Sequence, residues 1–271
     1  MSNSYRLMDP VLRSFEIQRL QEQASLLLSH EFHVWGAYID MESDVLDLGC
    51  GVGVLGEFLR TNGYCKKYTG VDFNDALLEE ARSLFGDLSL RFVKKDICSL
   101  DAINSVIEDV SPSVIFVRYV LQHLPLESAG NLIRLLLRVQ RNYRTVLIDA
   151  EDSLVSANVG NDLIQILLDD KRSTQASRGG NRDALQEVLS ALNPQFTLAN
   201  DVISVRSGER RDEKQKWLDV YWPVITSGDE FKKSKYLQND ANLWRNIFLE
   251  DAAAVAEFGL RVAVLDGAGT S

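Results

Sequence analysis

The sequence predicts an α/β fold, a parallel sheet sandwiched between helices, and three observations carry that reading. A short apolar run (Val45, Leu46, Leu48) stops at glycines set at alternate positions, Gly49, Gly51 and Gly53. Leu55, Phe58 and Leu59 then recur at helical spacing. Strand, glycine-rich turn and helix in that order open a nucleotide-binding α/β domain, with backbone brought close to a ligand. Further β-like runs alternate with amphipathic stretches along the chain, the pattern of a parallel sheet with crossover helices. Finally, 271 residues, 45% of them hydrophobic, suffice for one large α/β domain or one domain with a modest insertion.

Taken in order, residues 5–32 place Val11, Leu12, Phe15, Leu20, Ala24, Leu27 and Leu28 on one or two amphipathic helices. Residues 1–40 are therefore expected to form a helical lid or to pack on the sheet edge, with Tyr5, Arg6, Phe15 and Trp35 as candidate pocket residues. The first strand and its turn occupy 45–53, and the helix after them closes at Gly63. Residues 68–73 read as the second strand, ending in Asp72 and Phe73, and 76–85 as the next helix, capped by Asn74 or Asp75. Residues 90–97 form the third strand and its exit, 114–117 the fourth, 126–139 an apolar helix and 145–150 the fifth strand. Residues 161–169 and 184–192 read as helices separated by a polar, glycine-containing loop over 171–183. The last two strands are expected at 196–206 and 260–265. Between them, residues 207–258 form an insertion too long for a hairpin loop. It holds three of the four tryptophans, Trp217, Trp222 and Trp244. Those aromatics suit a substrate cap, a subunit contact or the insertion's own core.

The ligand is narrowed by carboxylates. Gly51 to Gly56 also fits G-x-G-x-x-G, so glycine spacing alone leaves a dinucleotide open. Asp47, inside the strand two residues before Gly49, argues against it: a carboxylate there opposes two phosphates and favours a ligand with a cationic amino group. Asp72 lies 23 residues beyond Gly49, where a strand-end carboxylate takes both hydroxyls of a ribose.

The run Asp47-Leu48-Gly49-Cys50-Gly51-Val52-Gly53 resembles motif I of the class I (Rossmann-like) S-adenosylmethionine-dependent methyltransferases. The resemblance covers residues 40–150 well, and 184–206 with 260–266 weakly. It implies a three-layer sandwich with a seven-stranded, mostly parallel sheet whose last strand is antiparallel, formed by 41–206 with 259–271. It also implies S-adenosylmethionine as cofactor. Gly49, Cys50, Gly51 and Gly53 would pass the methionine and ribose portions. Asp47 would meet the amino group, Asp72 with Phe73 the ribose, and Asp96 with Ile97 the adenine. Arg118 and Tyr119 would border the methionine. The segment Val120-Leu121-Gln122-His123-Leu124 resembles the small-molecule methyltransferases of quinone biosynthesis, and the Asn/Asp-Pro-Pro-aromatic signature of amino-methylating DNA enzymes is missing. A metal-dependent catechol-type enzyme needs an acid where Arg118 stands, so no metal is expected.

For a general base the candidates are His123 and Tyr119, with Glu151 or Asp152 behind them and His30 or His33 on a lid. Cys50 reads as a turn filler rather than a nucleophile. Two other readings stay open. One is an intramolecular attack of the cofactor's amino group, giving azetidine-2-carboxylate and methylthioadenosine inside an aromatic cage. The other is a non-catalytic S-adenosylmethionine-binding protein. A net charge of -10 without a basic face gives no support to bulk nucleic acid as a partner, and the resemblance implies a small-molecule substrate. No apolar run is long enough for a membrane span, and the N-terminus lacks a signal-peptide pattern. Three cysteines without C-x-x-C spacing fit a reducing cytoplasm.

Overall fold

The computed structural model describes residues 10–86, 89–138 and 143–266; Tyr5 and Arg6 lie outside them. Five parallel strands, β1 (Asp44–Leu48), β2 (Lys67–Asp72), β3 (Arg91–Lys94), β4 (Val114–Arg118) and β5 (Arg144–Ala150), stand in the order β3-β2-β1-β4-β5. The long strand β8 (Ala256–Asp266) joins β5 antiparallel, and β7 (Thr197–Arg206) pairs with β8 in turn. A two-residue strand, β6 (Ser156–Ala157), also pairs with the start of β8 and brings the sheet to eight strands where seven were expected. The tight turn at Asp152–Leu154 folds the chain back beside β8 and creates that extra bridge.

Alternation along the strands builds the layers. Leu46, Leu48, Ile115, Val117 and Leu147 face one side, against helices α4 (Leu100–Val110), α5 (Leu126–Arg138) and α7 (Ala184–Ala191). Val45, Tyr68, Phe116, Val146 and Ile148 face the other, against α1 (Pro10–Trp35), α2 (Val54–Thr61) and α3 (Asp75–Phe85). Both faces of β1 and β4 are covered, which is why these strands read as continuous apolar runs. The 207–258 insertion forms α8 (Arg211–Ile225), α9 (Asp229–Lys233) and α10 (Lys235–Glu250). These helices share a third core with α6 (Asn161–Ser177) and the start of β8. Trp222 stacks on Trp244 at 5.5 Å and Trp217 packs beside Tyr221 at 4.9 Å, so the tryptophans are largely the insertion's own core.

Besides lacking β6, the sequence reading contains no helix at α4, and it takes part of α6 for a loop. The loop expected from 171 is helical to Ser177, because α6 has a buried face that continues from Leu167 and Leu168 to Thr174 and Gln175. Asp170 adds a reason: its carboxylate accepts from the backbone N–H groups of Glu230 and Phe231, pinning α9 to α6. The polar look of this segment reflects side-chain hydrogen bonding rather than turn chemistry.

The turn after β1 requires glycine. Gly49 has φ +83°, and a Cβ there would lie 2.3 Å from Val120 Cγ2. Gly63 has φ +71° with nothing within 4 Å of its added Cβ. Gly63→Ala should therefore cost about 1 kcal/mol of backbone strain alone. Gly49→Ala should cost about 1–3 kcal/mol more through the clash, as read from urea unfolding. Equal costs would refute the close approach.

Candidate active site

A cavity of about 390 Å³ opens at the carboxyl ends of β1, β2 and β4, where the strand order reverses. Its volume lies in the range of small-molecule pockets. The turn Gly49–Val52 forms its floor, and Asp72, Phe73, Asp96 and Ile97 line one wall. Residues 118–120 and 122–124 line the opposite wall, while Leu20 of α1 and Val220 and Tyr221 of α8 close it from above.

The floor is tied to β2 by backbone: the N–H groups of Gly49 and Cys50 both donate to Val71 O, at 2.7 and 3.0 Å. Asp72 completes the tie. Its Oδ2 accepts from Gly51 N at 3.0 Å and its Oδ1 from Asn74 N at 2.9 Å. Asn74 caps α3 by accepting from Ala76 N, which leaves Asp72 at the cavity. Burial pushes the Asp72 carboxyl up, against the pull of those backbone donors. Asp96 accepts from Cys98 N at 2.9 Å, fixing the bend that presents Ile97.

Asp47, within β1, and Gly53, at the end of the turn, are not part of the cavity lining. Asp47 sits behind it, accepting a 2.6 Å bond from Tyr68 OH, and burial pushes its carboxyl up to about 6. Burial likewise raises the Cys50 thiol, so it stays protonated and inert.

The wall after β4 depends on Glu31, a fully buried carboxylate of α1. It accepts two bonds of 2.8 Å from the Arg118 guanidinium and a third of 2.8 Å from Tyr119 OH. Tyr119 has φ +55°, a conformation that costs an L residue energy. The chain then enters the tight turn Leu121–His123, held by Asp149, whose carboxylate accepts from Gln122 N at 2.9 Å and whose burial pushes it up to about 7.

The base candidates separate on geometry. His123 lines the cavity, but burial and then the charges of Lys171, Arg182 and Arg19 push it down to about 3. Tyr119 lines it too, with its hydroxyl committed to Glu31 and its titration pushed well up by burial. Glu151 and Asp152 are not in the lining: Glu151 is ion-paired with Arg261 at 2.6 Å and Asp152 with Arg182 at 2.5 Å. For both, burial is outweighed by hydrogen bonds and arginine charge, which hold them below the usual carboxylate range. His30, His33 and Phe15 are exposed, Trp35 is in the sheet core, and none of the four reaches the cavity. Among the described residues, no group of three or more His, Cys, Asp or Glu side chains is placed to hold a metal ion, and no helix is long and apolar enough to cross a membrane.

Sequence reasoning missed Glu31, Lys171 and Arg182. Tyr221 is one of the insertion's aromatics that the sequence offers for a substrate cap, and it lines the cavity.

Residues 45–143 match a family model described as a methyltransferase domain. Among solved structures, an S-adenosylmethionine-dependent methyltransferase from Anabaena variabilis superposes with a TM-score of 0.57 at 13% identity, over 97% of this chain and 96% of that one. A Bacillus halodurans protein assigned as a methyltransferase gives a TM-score of 0.50 at 14% identity, over 89% of this chain and 98% of its own. These likenesses establish the fold. No curated protein matches the sequence.

Glu31→Gln should destabilise the chain by about 3–5 kcal/mol, because it leaves a buried guanidinium without its counter-charge. Tyr119→Phe should cost about 1 kcal/mol. Denaturant unfolding that reverses this order would remove Glu31 from the centre of the wall. Asp47 supplies a pH test. Its folded value near 6 lies above the ordinary 3.8, so its contribution is full below 3.8 and is lost as pH rises through 6. The stability of the wild type relative to Asp47→Asn should therefore fall by about 2–3 kcal/mol between pH 4 and 7; a flat difference would mean Asp47 is solvated.

Proposed function

We propose that this chain, which has the fold of the class I S-adenosylmethionine-dependent methyltransferases and carries a methyltransferase domain over residues 45–143, transfers a methyl group to a small-molecule acceptor. One observation carries the reading: a single cavity joins the glycine turn, two strand-tip carboxylates and an apolar wall contributed by α8.

The residues fit the cofactor. A Cβ on Gly51 would meet nothing closer than Leu20 Cδ1 at 3.8 Å, so the backbone at that point is open to the cavity. Each Asp72 oxygen accepts one backbone N–H and keeps a lone pair, enough to take the two ribose hydroxyls. Ile97 offers an apolar surface for the adenine ring, and Asp96 an acceptor for its amine. Arg118 and Tyr119 border the methionine portion, while Asp47 acts from behind the turn as charge rather than contact.

When bound, the cofactor supplies an activated methyl group on a sulfonium. The chain's own task is then alignment and exclusion of water. Leu20, Val220 and Tyr221 cover the cavity with largely apolar surface. A group held at about 3 binds a proton weakly, so His123 shapes the wall rather than serving as general base. An acceptor that arrives with a free lone pair needs no base from the chain. For the intramolecular reading, the aromatic lining consists of Phe73, Tyr119, Tyr221 and Phe258, and none of the four tryptophans takes part. Three free cysteines, two of them buried, suit a reducing cytoplasm.

Titration calorimetry should detect S-adenosylhomocysteine binding, weakened at least about tenfold by Asp72→Asn, which removes charge from the ribose bonds. Unchanged affinity would displace the ribose from β2. Incubated with S-adenosylmethionine alone, the protein should leave it intact; rapid release of methylthioadenosine would favour the cyclisation instead.

A further inference from the structure

The cavity has a second chemical character, away from the carboxylates of β2 and β3. Four cations reach its lining, and three of them are neutralised: Arg118 by Glu31, Arg19 by Glu16 and Arg182 by Asp152. The fourth, Lys171, has neither a hydrogen bond nor an ion pair among the described residues. It follows Leu167 and Leu168 by one turn on the buried face of α6, so the ammonium occupies a position that packing would give to an apolar residue. A half-buried ammonium without a partner is costly unless something else supplies the counter-charge.

The surroundings sharpen the point. Besides burial, the charges of Arg182, Arg178, Lys232 and Arg19 act on Lys171 and push it down to about 8. Lys171 and His123 line the same cavity, and the charge of Lys171 is one of those that push His123 down. The same cavity also has apolar lining, including Leu124, Val224 and Phe258.

We propose that Lys171 anchors an anionic head group of the acceptor, so that the substrate is a small molecule with an apolar body and a carboxylate or phosphate. This rests on the methyltransferase reading and adds the substrate class to it. Arg182 is a positioning residue: its guanidinium bonds Gln122 and Asp152, holding the His123 turn against the chain that follows α6.

Calorimetry on protein saturated with S-adenosylhomocysteine tests this with benzoate and phenyl phosphate against their neutral counterparts, benzamide and benzyl alcohol. The charged pair should bind at least about tenfold more tightly than the neutral pair. Lys171→Met should abolish that preference and Lys171→Arg should retain it, both with unchanged S-adenosylhomocysteine affinity. The preference should also decline between pH 8 and 9 as the ammonium loses its proton. Equal binding of charged and neutral probes, including none by either, overturns the proposal. So does a Lys171→Met protein that loses S-adenosylhomocysteine instead, since the ammonium would then serve the cofactor's own carboxylate. Failure of the wild type to bind S-adenosylhomocysteine at all would be a separate result, against the methyltransferase reading itself.

Discussion

Three hydrogen bonds to one buried carboxylate organise this molecule. Glu31 reaches from α1 to the tip of β4 and takes both arms of the Arg118 fork and the hydroxyl of Tyr119. Such a network adds little net stability over apolar packing, but it is intolerant of losing a member. That intolerance fixes geometry. It pins α1 over the sheet edge, so that Leu20 overhangs Gly51, and it helps hold Tyr119 in a left-handed conformation. The second anchor of Tyr119 is its N–H, bonded to Ile148 O at 2.7 Å. With both ends held, the chain is forced into the turn that carries His123.

The strand-tip acids follow the same logic. Asp72 braces the glycine turn, Asp149 braces the turn after β4, and Asp47 is tied to Tyr68 within the sheet face. Each uses a carboxylate to satisfy donors that would otherwise be buried unpaired. The values near 6 and 7 for Asp47 and Asp149 show that this bonding does not fully offset the loss of water. Left-handed Tyr119 and the raised carboxyls of Asp72 and Asp149 thus lie along one edge of the sheet, the edge at which the cavity opens.

Much of this was legible in the sequence because period and punctuation report local structure. The five strands, the helices α2, α3 and α5, the glycine turn and the capping role of Asn74 follow from nearest neighbours in the chain, whereas the pairing of the last two strands comes from the family resemblance and α4 is not read at all. What was not legible is contact at long range. Glu31 reads as one polar residue on an amphipathic helix, and nothing local says that it faces an arginine 87 residues away. The stretch from Lys171 reads as a loop because its polar residues resemble turn residues, whereas Thr174 and Gln175 are buried by a fold still to come. His123 stood out by residue type and by its place in the segment after β4. Burial and the cations around it push it down to about 3, and no motif encodes those.

The net charge of the chain opposes an anionic substrate at long range. At -10, its field repels an approaching carboxylate. Range resolves the conflict: at physiological salt exposed charges are screened beyond about 8 Å, so surface acids act weakly on the cavity. Inside it, lower dielectric strengthens each nearby charge, and the arginines there are already balanced by Glu31, Glu16 and Asp152. Lys171 is then the local excess, opposite the acids of β2 and β3. A sulfonium nucleoside and an anion would lie in one cavity with their charges complementary to its two ends. A neutral acceptor would leave the half-buried ammonium of Lys171 without a counter-charge.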